Sequence, residues 1–448
     1  MTRVVRLSPA VLIFALACNP SPTIAPTSSQ PAVPPAAAAA APAASAEPPD
    51  ETRWVEAEPP PAAEAKLVAA SSNALGFDLY PLLSKQRGNL AFSPASIATA
   101  LAMTWCGARA ATAEQMKKVL HASNEYGHLA KPWGRLLQSM QNPARPYQLH
   151  IANRLFGEKS YPFELPFVQS TRAAFYALFE PLDFKRASDA ARKHINGWVE
   201  QRTQRRIRDL LPLPAVTADT RLVLVNAIYF LADWQVQFEK RSTSPRPFTT
   251  SVGAKKNVPM MQQQESFRLL QADGIKLLEL PYQGNDAAML IALPDQVDGL
   301  PALEKMLAAA KLDGWIAAFG QPQLVNVALP SFTYEPSDTV DLVPALKALG
   351  MVDAFSGSQA DFGIMAQPVD AADKLFVSAV FHKAFVKVDE KGTEAAAASA
   401  VVMAREGMAP PPKAIEFRAD HPFVYFVVDQ KSGLVLFMGR VVDPSLAG

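Results

Sequence analysis

Residues 388 to 404 read Val-Asp-Glu-Lys-Gly-Thr-Glu-Ala-Ala-Ala-Ala-Ser-Ala-Val-Val-Met-Ala. A short strand pattern, Ala384 to Val388, runs into Asp389-Glu390-Lys391 and a single glycine, Gly392, before the run of small side chains begins. After Pro410, Pro411 and Pro412 the chain returns as Phe417-Arg418-Ala419-Asp420-His421-Pro422-Phe423 and an apolar, strand-like run. By itself a row of four alanines fits a helix, because Ala has the best helix propensity, or a low-complexity linker. What decides between these readings is the order of elements on either side.

Upstream, Asn89 to Ile97 opens a helix by ordinary capping chemistry. Ser93 is a favourable N-cap and Pro94 fits the first turn, after which Ala98, Leu101, Ala102 and Trp105 keep helical apolar spacing. Gly107-Ala108 and Thr112 continue this stretch. Leu222 to Phe230 is a nearly all-apolar strand with one amide, Asn226, followed by Ala232-Asp233-Trp234. Such a strand belongs inside a sheet covered on both faces, and its amide needs partners. Val258-Pro259-Met260-Met261, Leu278-Glu279-Leu280-Pro281-Tyr282, Ala288 to Pro294, Val327 to Phe332 and Leu346 to Met351 follow in order.

Taken in this order, from about residue 70 to residue 444, the series resembles the serpins, and residues 388–423 resemble their reactive-centre loop. The resemblance implies an α+β fold. It would be a single large domain of three β-sheets with about eight or nine helices and an exposed reactive-centre loop. It also implies a cluster of Ser93, Ser96, Asn226 and His382 beneath the main sheet. Trp234 would mark the top of the sheet, where the loop enters.

In that family the loop is bait. A protease cuts it, forms an acyl-enzyme, and is trapped as the freed segment inserts into the main sheet. The implied hinge is Glu390, Gly392, Thr393, Glu394, Ala395, Ala396, Ala397 and Ala398. Strand alternation then gives the inward set Thr393, Ala395, Ala397, Ser399, Val401 and Met403, all uncharged, while Glu394 faces water. A charge in the inward set would cost several kcal/mol on burial. Gly392 is expected to supply backbone freedom at the turning point. Counting from Glu390 as the family does places the reactive bond at Glu406-Gly407. A loop one residue shorter places it at Arg405-Glu406, the preferred assignment, aimed at trypsin-like proteases; Met408 stands behind both. The stretch from Gly392 to Pro422 exceeds the family's usual length, and the stiff prolines 410–412 are expected to absorb the excess.

The ends of the chain read differently. Thirteen of the 39 prolines precede residue 62, and Pro, Ala, Ser, Thr and Glu dominate residues 20–65. The expected organisation is a signal peptide at 1–18, a disordered tether at 19–65 and the folded domain at 66–448. Arg3, Arg6 and the apolar run Ala10 to Ala17 precede Cys18, resembling a bacterial lipoprotein signal. Lipidation of Cys18 would make the chain an outer-membrane or periplasmic lipoprotein; ordinary cleavage would make it extracellular. Cys106 is the only other cysteine, so an intrachain disulfide in the domain is excluded and a buried, inert thiol is expected.

Net charge is +1 with signs interspersed, which argues against a general nucleic-acid or membrane-surface binder. Arg202, Arg205, Arg206 and Arg208 are read as the solvated face of a helix over Ser188 to Leu211. No GxSxG, HExxH, Walker or GxGxxG motif occurs, and the six histidines show no metal spacing, so neither cofactor nor catalytic residue is expected. The expected partner is an endopeptidase, serine or cysteine, held in a covalent 1:1 complex by a monomer. A non-inhibitory serpin acting as a binding protein stays open, and more remotely a hydrolase with an unrecognised triad.

Overall fold

Strand Leu222–Asp233 is apolar on both of its faces, and the structure covers both. Val225 and Ala227 join a small core with Ile195 and Val199 of helix Phe184–Arg202, which lies over one face of the sheet. Ile228, Phe230 and Ala232, on the opposite alternation, join the large core behind it. This computed structural model describes residues 56–122, 126–336, 338–370, 373–393 and 413–446, apart from the side chains of residues 126–129, 152, 153 and 226.

The main sheet has six strands, numbered here in chain order: β1 Tyr147–Glu158, β2 Leu178–Leu182, β3 Leu222–Asp233, β4 Phe332–Tyr334, β5 Val386–Val388 and β6 Gly392–Thr393. Their spatial order is β4-β5-β6-β3-β1-β2. A second six-stranded sheet packs behind, centred on Phe423–Asp429 and Val435–Val441, every residue of which is buried. A four-stranded sheet joins Ile415–Arg418, Gln323–Pro330, Lys255–Phe267 and Ser244–Thr249. To the three expected sheets the structure adds a small fourth, a ribbon pairing Val340–Asp341 with Phe381–His382. Nine α-helices occur among the described residues.

Helix Pro94–Trp105 starts as the capping chemistry requires: Ser93 is its N-cap, and its hydroxyl accepts from the Ser96 amide. Cys106 is buried at its end as a thiol, in no disulfide. Two boundaries differ from the sequence reading. The first helix runs Ala62–Leu83, so residues 62–65, assigned above to the tether, are helical, and Ala65 is buried. Ala62-Ala63-Glu64-Ala65 are good helix formers once the buried face of Val68 and Ala69 gives them something to extend.

The helix bearing the basic run stops at Arg202 rather than Leu211. Gln204 and Arg205 take positive φ, and Leu211 is drawn back onto the helix by two hydrogen bonds with Asn196 and one from Arg192. Tertiary anchoring outweighs helix propensity in this stretch.

Candidate functional site

The expected hinge begins inside the main sheet. After β5 the chain turns through Asp389 to Lys391, with the Asp389 amide donating to the Gly392 carbonyl at 3.0 Å. Gly392 and Thr393 then wedge between β5 and β3, paired with Asp233 and Ala232 on one side, and Thr393 with Val388 on the other. The resemblance had the whole bait held out of the sheet, so this two-residue stub is a difference: its first pairings are already made.

Trp234 closes the top of this junction. Its amide donates to the Lys391 carbonyl at 2.7 Å, and its indole Nε1 donates to the Asp389 carbonyl at 3.0 Å. Its ring stacks on Tyr282 at 4.6 Å and 8°. The Tyr282 hydroxyl lies 2.5 Å from Thr393 Oγ1. Burial raises the phenol's pKa, so it stays protonated and can donate to Thr393. Glu390 accepts from the Thr243 hydroxyl at 2.8 Å, and its carbonyl accepts from the Phe238 amide at 2.8 Å. Burial also raises the Asp233 carboxyl, against an opposing pull from Lys391.

Gly392 is needed for space rather than for freedom. Its φ is not positive, but a Cβ there would lie 2.0 Å from the Ala232 carbonyl oxygen. The glycine lets the two backbones approach to pairing distance.

Below Thr393 the edge of β3 facing β5 has no paired strand among the described residues. A cavity of about 80 Å³ opens at the lower end of this slot, lined by Ser96, Leu222, Leu224, Val377, Phe381 and His382. His382 is buried, and its Nε2 accepts from the Ser93 amide at 3.1 Å. Burial lowers its pKa to about 4, which keeps the ring neutral. The Ser93 hydroxyl donates to the Leu436 carbonyl at 2.5 Å.

Of the four residues that the resemblance grouped, the structure brings Ser93, Ser96 and His382 together. The contact from Ser93 to the histidine is through its main-chain amide, because its hydroxyl is already engaged as cap and donor. Asn226 lies in β3 opposite Asn153, and its side chain is outside the described residues. Also outside them are Glu394, Ala395, Ala396, Ala397 and Ala398 of the hinge, both versions of the reactive bond (Arg405, Glu406, Gly407), and Cys18. Among the described residues no group of three or more His, Cys, Asp or Glu is placed to hold a metal ion.

Tyr282 was missed as a site residue. In the sequence it merely ends an apolar strand, and its partner Thr393 is 111 residues away. Nothing local marked it.

The sequence profile described as Serpin (serine protease inhibitor) matches residues 70–444. The leukocyte elastase inhibitor of Sus scrofa is 40% identical over 386 residues, covering 84% of this chain and 99% of that one. Serpin B3 of Homo sapiens is 37% identical over 387 residues, covering 82% and 97%. The solved structure of human thyroxine-binding globulin in complex with its ligand superposes with a TM-score of 0.76 at 26% identity, covering 86% of this chain and 100% of that one. Profile, sequence and architecture agree over the whole folded part, and the chain belongs to the serpins, a family of inhibitors and not of enzymes.

Proposed function

We propose that the chain inhibits a serine endopeptidase, with a cysteine endopeptidase as the variant, by acting as a suicide substrate. The observation that carries this reading is the stub Gly392–Thr393, seated between β5 and β3 above an edge with no paired strand among the described residues. In this reading Trp234 and Tyr282 mark where insertion begins, and Ser93, Ser96, Asn226 and His382 lie where the sheet must part. The intact form is metastable, and insertion releases free energy as ladder hydrogen bonds and apolar burial.

Continued in the register that Thr393 and Ala232 begin, insertion brings Ser399 opposite Asn226. Val401 and Met403 then come opposite Leu224 and Leu222, at the apolar cavity. Strand β3 starts at Leu222, so Arg405 or Glu406 falls just past the end of the sheet, free to carry an acylated protease. Both the preferred bond, Arg405-Glu406, and the alternative, Glu406-Gly407, fit this register.

Incubation with trypsin tests the proposal. A denaturant-stable 1:1 adduct is expected, with mass spectrometry of the released carboxy-terminal peptide giving the cut. Clean cleavage without adduct would sink it. The second reading, a non-inhibitory binding protein, draws on the likeness to thyroxine-binding globulin, solved with thyroxine. Heating separates the two: a cleaved inhibitor gains a large increment in thermal stability, and a non-inserting relative does not.

We also propose export, with lipid on Cys18 holding the domain at an outer membrane or in the periplasm, and secretion if that lipid is absent. Metabolic labelling with palmitate, lost in Cys18→Ala, tests the anchor.

A further inference from the structure

Arg205, Arg206 and Arg208 lie past the helix end at Arg202, on a stretch that crosses the outer face of the main sheet. This stretch is anchored on both sides of the slot between β3 and β5. On the β3 side Ile207, Leu210 and Leu211 are buried in the small core with Val225 and Ala227. On the β5 side Lys383 Nζ donates to the Arg208 carbonyl at 3.0 Å, and the Thr339 hydroxyl to the Asp209 carbonyl at 3.3 Å.

Arg206 joins the two edges. Its side chain donates to the Tyr229 hydroxyl in β3, and its guanidinium carbon lies 5.1 Å from the centre of the Phe385 ring, one residue before β5. Both rings are buried, and the His150 ring of β1 stacks on Tyr229 at 6.0 Å. Alternation places them on the side of the sheet that the helix covers, Tyr229 with Val225 and Ala227, and Phe385 with Phe381. Arg206 is itself exposed, and a guanidinium over an aromatic face in that setting is a modest, reversible hold.

Two separate pairings converge beneath this guanidinium. Thr393 pairs with Ala232 on one side and with Val388 on the other. Carried three residues further, each antiparallel register brings position 396 to the same level, opposite Tyr229 in one case and Phe385 in the other. Those are the residues that Arg206 joins. Position 396 is an alanine and belongs to the outward set, so its methyl group would come directly under the guanidinium.

We propose that Arg206 is a positioning residue for insertion, a clasp that releases as the bait enters and closes again over position 396, which it restricts to a small side chain. The inference rests on the inhibitor reading. It adds a limit that alternation alone does not set, since an outward residue facing water could be of any size. Glu394 escapes the limit, because the same registers place it between Leu231 and Lys387, away from the clasp.

The test compares the ratio of adduct to cleaved product after trypsin treatment in the full chain and three variants. These are Ala396→Leu, Ala396→Leu with Arg206→Ala, and Ala396→Leu with Arg208→Ala. Ala396→Leu is expected to lower the ratio about fivefold, and Arg206→Ala to restore it. Arg208→Ala should restore nothing, because only its main-chain carbonyl is held at the slot. Urea midpoints of uncleaved Ala396→Leu should match wild type. An undiminished ratio in Ala396→Leu, or a loss that Arg206→Ala leaves in place, would overturn the clasp, while the wild-type adduct upholds the inhibitor reading. If wild type is cut without adduct, the inhibitor reading falls, and the gain in thermal stability on cleavage, compared across the same variants, decides the clasp. If cleavage brings no gain, both fall. Should trypsin leave the bait intact, papain supplies the nick for the thermal comparison.

Discussion

The Tyr282 hydroxyl and Thr393 Oγ1 lie 2.5 Å apart, with both side chains buried, so the residue that starts the expected insertion is held by a bond inside the sheet. Removing either hydroxyl, with Tyr282→Phe or Thr393→Val, strands its buried partner and should cost about 1–3 kcal/mol. Urea midpoints of the intact protein check this. An unchanged midpoint in either variant would contradict the bond.

Ala395→Glu tests the insertion step separately, because Thr393 is already seated and buried in the intact form, whereas Ala395 is the next member of the expected inward set. A carboxylate there must enter the core side of the sheet, at a cost of several kcal/mol. Trypsin is expected to cut the variant at an unchanged rate while the adduct disappears. The thermal increment after cleavage should disappear with it. Adduct formation at the wild-type level would show that the inward face tolerates charge and that the register is wrong.

Gly392→Ala should expel the stub, because a methyl group cannot share 2.0 Å with the Ala232 carbonyl. The Trp234 amide would lose its Lys391 acceptor and its indole the Asp389 carbonyl. Hydrogen exchange at the Trp234 amide should quicken by roughly tenfold or more, with a change in tryptophan emission. Unchanged exchange would show that the stub adapts without leaving.

His382 gives the fold a pH dependence of defined sign. Burial lowers its folded pKa from 6.5 to about 4, so between these values the unfolded chain binds more protons than the folded one. The contribution is fully present above pH 6.5 and is lost as pH falls through about 4, to a total of roughly 3 kcal/mol. Protonation of Nε2 would also deprive the Ser93 amide of its acceptor. Urea midpoints between pH 7 and 4 should fall more steeply for wild type than for His382→Gln. Parallel slopes would place the dependence elsewhere.

The boundary of the domain is testable by truncation. Removing residues 1–55 should leave thermal unfolding unchanged, because it keeps the docked stretch in which Glu58 pairs with Arg135 and Pro60 is buried. Removing 1–69 deletes buried Ala65, Val68 and Ala69 and should cost on the order of 3 kcal/mol. Equal stability of the two truncations would return residues 62–69 to the tether.

What the amino-acid order determined by itself was local. Ser93-Pro94 starts a helix, and the apolar run in Leu222–Asp233 can only be a strand covered on both sides. The small, uncharged alternation after Gly392 is open to a sheet interior. Each of these follows from neighbours along the chain, through caps, periodicity and side-chain size. The tertiary structure decided what depends on distant partners. Tyr282 became a site residue because a strand end met Thr393, 111 positions on, and Gly392 was required by a carbonyl of β3 rather than by its own torsions. The helix after Phe184 ended at Arg202 because Asn196 and Arg192 pull Leu211 back. Torsional preferences and periodicity act over a few residues, whereas buried hydrogen bonds and close backbone contacts exist only once the fold has brought their partners together.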